Sequence, residues 1–567
     1  MRIIPVHEYE ERIITMKKMK RVLCMLLSVL MLLGLVACGQ TPQGAQNNET
    51  SITPSSAGDG SEAPQATGEK TYDEHLTLTW LMAGIKSGGD YTADDWGRFW
   101  LEKFNIDFDI IATTIDASDW DERLRVWINS GDMPDVAHAE YGFGEIQTYA
   151  AQDAIYRLPD NWKERWPNLA KTQQDVPIAA IAEEKLGGTY CLWRPVFSTN
   201  RPSERLSYHA LVYLRKDWLE ACNLEVKDTY TPSELEEIAR TFLEKDPGNV
   251  GSNLVGMSIR PYDLAKLWPT TDFSPACNIG DGYYRDENGQ FQWAPADQRT
   301  LEALKKYQQA YRDGLIDPEF YTYNRYQGSQ KFYVQGTSGI ALEDGHAILI
   351  TYIRNGLAAQ GLNPDEVLQL AQLVGEDGKY HYREDANYWG QVIFNPNISQ
   401  EKFERAMDLL DFCATQEGQN LINMGFEGID WERDADGHYV SLLDPSIQGE
   451  HLSVMAGKYP SKDSYFGSVV LTDDFALVSP NYSSEIQDTV RYFYKLRDEL
   501  SDDTTLLPRE YDYETLSTRE KSQASMDLGN EYAKLILKEG DLEENWKAWV
   551  AEKMVVVQPV LDQLNGK

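Results

Sequence analysis

The sequence predicts an α/β protein built on more than one core. Three observations carry this expectation. Apolar runs alternate with polar residues as half-buried strands do, amphipathic stretches of helical spacing lie between them, and 567 residues exceed what a single core organises. The opening order of strand, helix, strand, helix, strand is the pattern of a parallel sheet with crossover helices.

The amino terminus stands apart from that pattern. Lys17, Lys18, Lys20 and Arg21 precede an apolar run from Val22 to Ala37. A basic start, an apolar centre and small residues at its end describe a secretory signal peptide over residues 1–37. The run falls short of the ~20 apolar residues of a membrane span. Leu35-Val36-Ala37-Cys38 resembles a bacterial lipobox. That resemblance implies attachment of a diacylglyceryl group with palmitate-type chains to Cys38, cleavage that leaves Cys38 as the first residue, and a lipid anchor on the outer face of the cell membrane. His7, Glu8, Glu10 and Glu11 do not belong in a basic leader, so Met16 is the expected initiator. Residues 38–70 are polar and rich in Pro, Ser, Gly and Ala, which predicts a disordered tether.

The folded part, residues 71–567, then follows element by element. Leu76 to Met82 alternates as a strand and ends in a loop from Gly84 to Asp90. Trp96 to Phe104 is a short amphipathic helix, Ile106 to Ala112 a second strand, Asp119 to Ser130 a helix closed by Gly131, and Val136 opens a third strand. His209 to Arg215 is a strand that leads into the helix Lys216 to Ala221. Thr231, Pro232 and Glu234 mark a helix start, with Thr231 as cap and Glu234 at the capping-box offset. Leu301 to Tyr311 is amphipathic, and Gly339 to Leu342, Ala347 to Ile353 and Gln391 to Phe394 are apolar segments bounded by turns. Gln400 to Asn420 carries an apolar stripe and predicts one long helix. Without a Pro/Ser linker after residue 70, the folded part reads as coupled lobes crossed by the chain.

Charge and motifs narrow the function. The formal net charge of −37 repels phosphate backbones, so nucleic acid is not an expected partner. Phosphate-cradling G-x-x-x-x-G-K-[ST] loops, H-E-x-x-H, C-x-x-C and G-x-S-x-G are all missing from the sequence. The eight histidines are scattered, and no metal or cofactor is expected. Carboxylate pairs of the glycosidase kind arise by chance among 90 acidic residues. Cys191, Cys222, Cys277 and Cys413 lack metal-like spacing and are expected to be buried free thiols. The 15 Trp and 32 Tyr supply faces for stacking on sugars as well as core.

Four segments together resemble one family. Ser130-Gly131-Asp132-Met133-Pro134-Asp135, Arg215-Lys216-Asp217-Trp218-Leu219, Gly314 to Phe320, and Met424-Gly425-Phe426-Glu427-Gly428 occur in this order. They resemble extracellular solute-binding protein family 1, the substrate-capturing lipoproteins of ABC importers, in its large Gram-positive oligosaccharide-type branch. The resemblance implies a two-lobed periplasmic-binding-protein-like fold with a ligand cleft between lobes, lobe 1 over about 71–205 plus 336–390 and lobe 2 over about 206–335 plus 391–567. It implies an oligosaccharide ligand, permease subunits as partners, a monomer, and binding without catalysis. A surface glycoside hydrolase or lyase, or a binding protein for another solute such as a peptide, remains the alternative. Where the family often carries a calcium loop, Asp246-Pro247-Gly248-Asn249-Val250-Gly251 lacks the alternating carboxylates, so calcium is not expected there. Within such a cleft, Trp80, Trp193, Trp268, Tyr388, Trp389 and Trp431 are the candidates for stacking, and Asp90, Asp135 and Glu427 for binding hydroxyls.

Overall fold

A computed structural model describes residues 70–566 except 82–89, 112–116, 175, 196–209, 261–281, 324–326, 385–387, 444–454, 456, 463–479 and 481. The signal segment, the tether and Cys38 therefore lie outside the described residues, as do Trp268 and Cys277. Residues 71–567 form one compact unit.

The first stretch supplies strands β1 (Leu76–Leu81), β2 (Ile106–Ile111), β3 (Val136–Ala139) and β4 (Leu192–Trp193). The middle supplies β5 (Ala210–Arg215), β6 (Thr229–Tyr230), β7 (Tyr283–Arg285), β8 (Phe291–Trp293), β9 (Ile340–Asp344) and β10 (Leu368–Leu373). The last supplies β11 (Tyr382–Arg383), β12 (Gln391–Phe394), β13 (Trp431–Arg433), β14 (Tyr439–Ser441) and β15 (Leu506–Leu507).

Two main sheets organise the unit. The first has the order β2-β1-β3-β12-β4, with β1, β2 and β3 parallel, as the opening pattern predicts, and β12 antiparallel to both its neighbours. The second has the order β6-β10-β5-β9 and is mostly antiparallel around β5. Each sheet is covered on both faces, which alternating side chains make possible. Val392 and Phe394 point into a core with Trp96, Trp100, Phe403 and Leu410, whereas Ile393 joins Leu124, Ile128 and Ile146 on the opposite face. In the second sheet Val212 and Leu214 meet the helices Pro232–Lys245 and Gln298–Arg312. Leu211 and Tyr213 face Ala347–Ala359 and Ser484–Leu500 instead. Each sheet is thus the middle layer of one lobe.

This pairing corrects the expected lobe boundaries. Residues 340–373 belong to the second sheet through β9 and β10, and β12 with the helix Gln400–Cys413 belongs to the first. The predicted long helix is two, Gln400–Cys413 and Gln416–Met424, because Thr415 breaks the run and accepts a hydrogen bond from the Gly418 amide as the second cap. The capping box at Thr231 and Glu234 is formed in full. Cys191, Cys222 and Cys413 are buried free thiols. Among the described residues, no helix is long and apolar enough to cross a membrane.

Candidate functional site

The topology singles out one edge of each sheet. In the first, Ala139 at the end of β3 and Trp193 at the end of β4 both stand opposite Gln391, where β12 begins. In the second, β5 begins at Ala210 opposite Asp344, the last residue of β9. Strand β10 runs antiparallel to β5, so its end at Leu373 reaches the same edge. The chain leaves β4 for β5 and β10 for β12, so both crossings join these two edges. Ligands of α/β sheets gather at such carboxyl ends and crossings.

At the first edge the residues just beyond the strands converge. The Trp389 amide donates to the Arg194 carbonyl at 2.9 Å, and the Arg194 amide returns a bond to Gly390 at 3.1 Å. Gly390 has φ +71°, and a Cβ there would stand 2.7 Å from the Ala139 carbonyl oxygen, so only glycine fits. The Trp389 ring is 47% exposed and stands beside the Glu140 carboxyl. The Glu140 amide donates to Asp121 at 3.2 Å. Desolvation raises the carboxyl pKa of both Glu140 and Asp121; the Asp121 charge adds to the rise at Glu140, whereas the Glu140 amide bond opposes the rise at Asp121. Beneath them Arg194 and His138 are buried, and burial together with the Arg194 charge holds His138 well below its usual range, hence neutral. Gln391 clamps the turn by exchanging bonds with the Tyr141 backbone at 3.0 and 2.9 Å.

The second edge is built around a buried ion pair. The Arg260 guanidinium lies 3.2 Å from Glu343, Ser329 donates to the same carboxylate at 2.9 Å, and the Asp344 amide donates to it at 3.1 Å.

The candidates from the sequence divide between these edges and the core. Trp389 reaches the first edge as expected. Tyr388 stands behind it, packed edge-on against Trp193 with ring centres 4.9 Å apart, and burial raises its phenol pKa. Trp193 is itself 2% exposed and lines a cavity of about 500 Å³ between the helices Pro167–Gln174 and Pro177–Leu186. Trp80 is completely buried on β1 against Phe108, so it has no face to offer a ligand. Trp431 is also core, its indole N–H donating to the Gly425 carbonyl at 3.1 Å and its ring packed on Tyr439. Asp135 is a structural brace: it accepts from the Thr79 amide at 2.8 Å and from Lys402 at 2.9 Å, tying β1 to the helix Gln400–Cys413. Asp90 is exposed and closes its own turn by accepting from the amide and hydroxyl of Thr92. Glu427 is exposed on the turn before β13. Glu140, Asp121 and Arg194 were not among the expected site residues. Glu140 and Arg194 each follow directly on a strand end, which is the signal that could have found them.

Metal ligation is weakly served. Asp246 has φ +43° and its carboxylate accepts the Val250 and Gly251 amides at 2.8 Å each, so this loop uses its acid as a helix cap. Asp434, Asp436 and His438 in the β13–β14 turn bring ligand atoms within 4.8 Å of one another.

No protein-family model matches the chain. A polygalacturonan/rhamnogalacturonan-binding protein of Bacillus subtilis is 21% identical over 385 residues, 66% of this chain and 71% of its own length. A fructooligosaccharide ABC transporter substrate-binding protein of Streptococcus pneumoniae is 24% identical over 217 residues, 36% of this chain and 39% of its own. An extracellular solute-binding protein from Bifidobacterium longum subsp. infantis superposes with TM-score 0.63 at 14% identity, covering 88% of this chain and 98% of that one. The fold is that of the extracellular solute-binding proteins. Relatives and structural neighbours are solute-binding proteins of ABC transporters, and the two-lobed arrangement expected from the sequence is theirs.

Proposed function

We propose that this chain is the substrate-binding lipoprotein of an ABC importer, capturing an oligosaccharide between its lobes and delivering it to membrane permease subunits. The observation that carries this reading is Trp389: a half-exposed indole at the crossing edge, beside a carboxyl one residue past β3. An indole face packs against the C–H face of a sugar ring, while carboxyls beside it accept from hydroxyls. Hinged lobes closing over such a ligand exclude water without performing chemistry on it. The anchor is Cys38, which carries a diacylglyceryl group and becomes the first residue when residues 1–37 are removed, and which holds a monomeric receptor on the outer face of the membrane. Its relatives are named for an anionic and a neutral glycan, so charge is the property that separates the two ligand classes.

The test uses the full chain against a panel of oligosaccharides. A binding ligand raises Tm with the logarithm of one plus its concentration over Kd, and mass spectrometry of the recovered glycan should find it unchanged. Cleavage of the glycan would replace the receptor with a hydrolase or lyase. Cys38→Ala should release the protein from the membrane fraction; retention there would remove the anchor from the reading.

A further inference from the structure

We propose that the site selects uncharged oligosaccharides and rejects uronates, and that Asp121 and Glu140 beside Trp389 impose this choice. The inference rests on the carbohydrate-binding reading above and adds the charge class of the ligand.

Most charges near the two edges are already opposed. At the first edge Asp121 and Glu140 stand next to one another, with Arg194 as the cation near Glu140. Arg125, the next cation near Asp121, is engaged by Glu145 at 2.8 Å and Glu122 at 2.9 Å. His138 is neutral by burial and supplies no charge. At the second edge Arg260 is held by Glu343, and Asp344 follows as a further carboxylate. Among the described residues, each edge thus carries more carboxyls than cations, and the cations face carboxylates of this same chain.

A sugar hydroxyl suits such a surface because it donates to carboxylate oxygens. A uronate carboxylate does not. It brings a second acceptor-only group beside acids whose ionisation is already disfavoured by desolvation, and like charges at an interface discriminate strongly. Burial is the main cause of the raised carboxyl pKa of Glu140 and Asp121, with neighbouring carboxylates adding to it: Asp121 at Glu140, and Glu145 and Glu122 at Asp121. Trp389 favours neither class, since its ring meets the C–H face that both share.

Isothermal titration of the full chain with neutral oligosaccharides (fructo-, malto- and manno-types) and with oligogalacturonates of equal length tests this. The expected result is binding within the neutral set and affinity lower by about a hundredfold or more for every uronate. Uronate binding as tight as the best neutral glycan overturns the inference and leaves the carbohydrate reading standing. Binding of neither class overturns that reading and the inference with it. The Asp121→Asn/Glu140→Gln double variant keeps carbonyl acceptors in both places, and its fold is checked by circular dichroism. It should narrow the gap by about tenfold; an unchanged gap removes these two carboxyls as its cause. The gap should also shrink as pH falls and the pair protonates, a readout that a purely structural role would leave flat.

Discussion

Trp389 lies in a short turn that runs into β12, Trp431 opens β13 directly after such a turn, and the two places use their tryptophan in opposite ways. At Trp431 the preceding turn folds back on itself. Gly425, at φ +85°, brings its carbonyl to the indole N–H at 3.1 Å, and Asp430 fills the space beside it, accepting from the Phe426 amide at 2.7 Å and from the Tyr459 hydroxyl. Tyr439 across the hairpin then covers the ring, which is 1% exposed. At Trp389 the backbone is equally well fixed, through Arg194 and a glycine that only glycine can replace, but the fixing is done by main chain alone. The ring is left over, 47% exposed, beside a carboxyl. A rigid backbone with an uncommitted aromatic face is what a binding platform requires. A rigid backbone closed over the same side chain is a core.

Removing each ring should separate the two roles. Trp431→Ala empties a fully buried site and is expected to lower stability by about 3–5 kcal/mol, seen as a large fall in Tm, while the folded fraction keeps its glycan affinity. A Tm change no larger than that of a surface substitution would break the comparison. Trp389→Ala is expected to do the reverse. The unliganded protein should change by no more than ~0.5 kcal/mol, whereas glycan affinity should fall by at least about tenfold, as for an aromatic anchor. Wild-type affinity in this variant would move the platform elsewhere.

How far the sequence revealed these roles depends on the range of the forces involved. Local order was legible. The alternation of Leu76, Leu78 and Trp80 predicts β1, and the same alternation puts Trp80 on the face of Leu78, which is buried. Reading that period to its end would have removed Trp80 from the candidates. The caps at Thr231 and Glu234 were equally plain, because a capping box is written within four residues. What stayed hidden was long-range. Which sheet β9, β10 and β12 join is decided by pairing with strands far away in the chain, and an apolar run carries no mark of its partner. The fate of Asp135 is similar: only the approach of Thr79 and Lys402 turns a free acid into a brace. Glu140 lay between these limits, one residue beyond a strand whose end the sequence had not fixed.

The smallest effect sharpens the comparison most finely, because it concerns the carboxyl beside the Trp389 indole. Burial raises the Glu140 carboxyl above its ordinary value of 4.5, so the folded protein holds that proton more tightly than the unfolded chain does. Stability from this group is therefore complete below 4.5 and declines as pH rises through the folded value, because the native state must then accommodate a charge it disfavours. Glu140→Gln is neutral at every pH and removes that decline. The difference in Tm between variant and wild type should move in the variant's favour as pH climbs from 4.5 and level off once Glu140 is ionised in the folded protein. A difference that is constant with pH would mean that the carboxyl is solvated as a free surface acid. In that case Glu140 would add nothing to the site's character, and the contrast with Trp431 would rest on exposure alone.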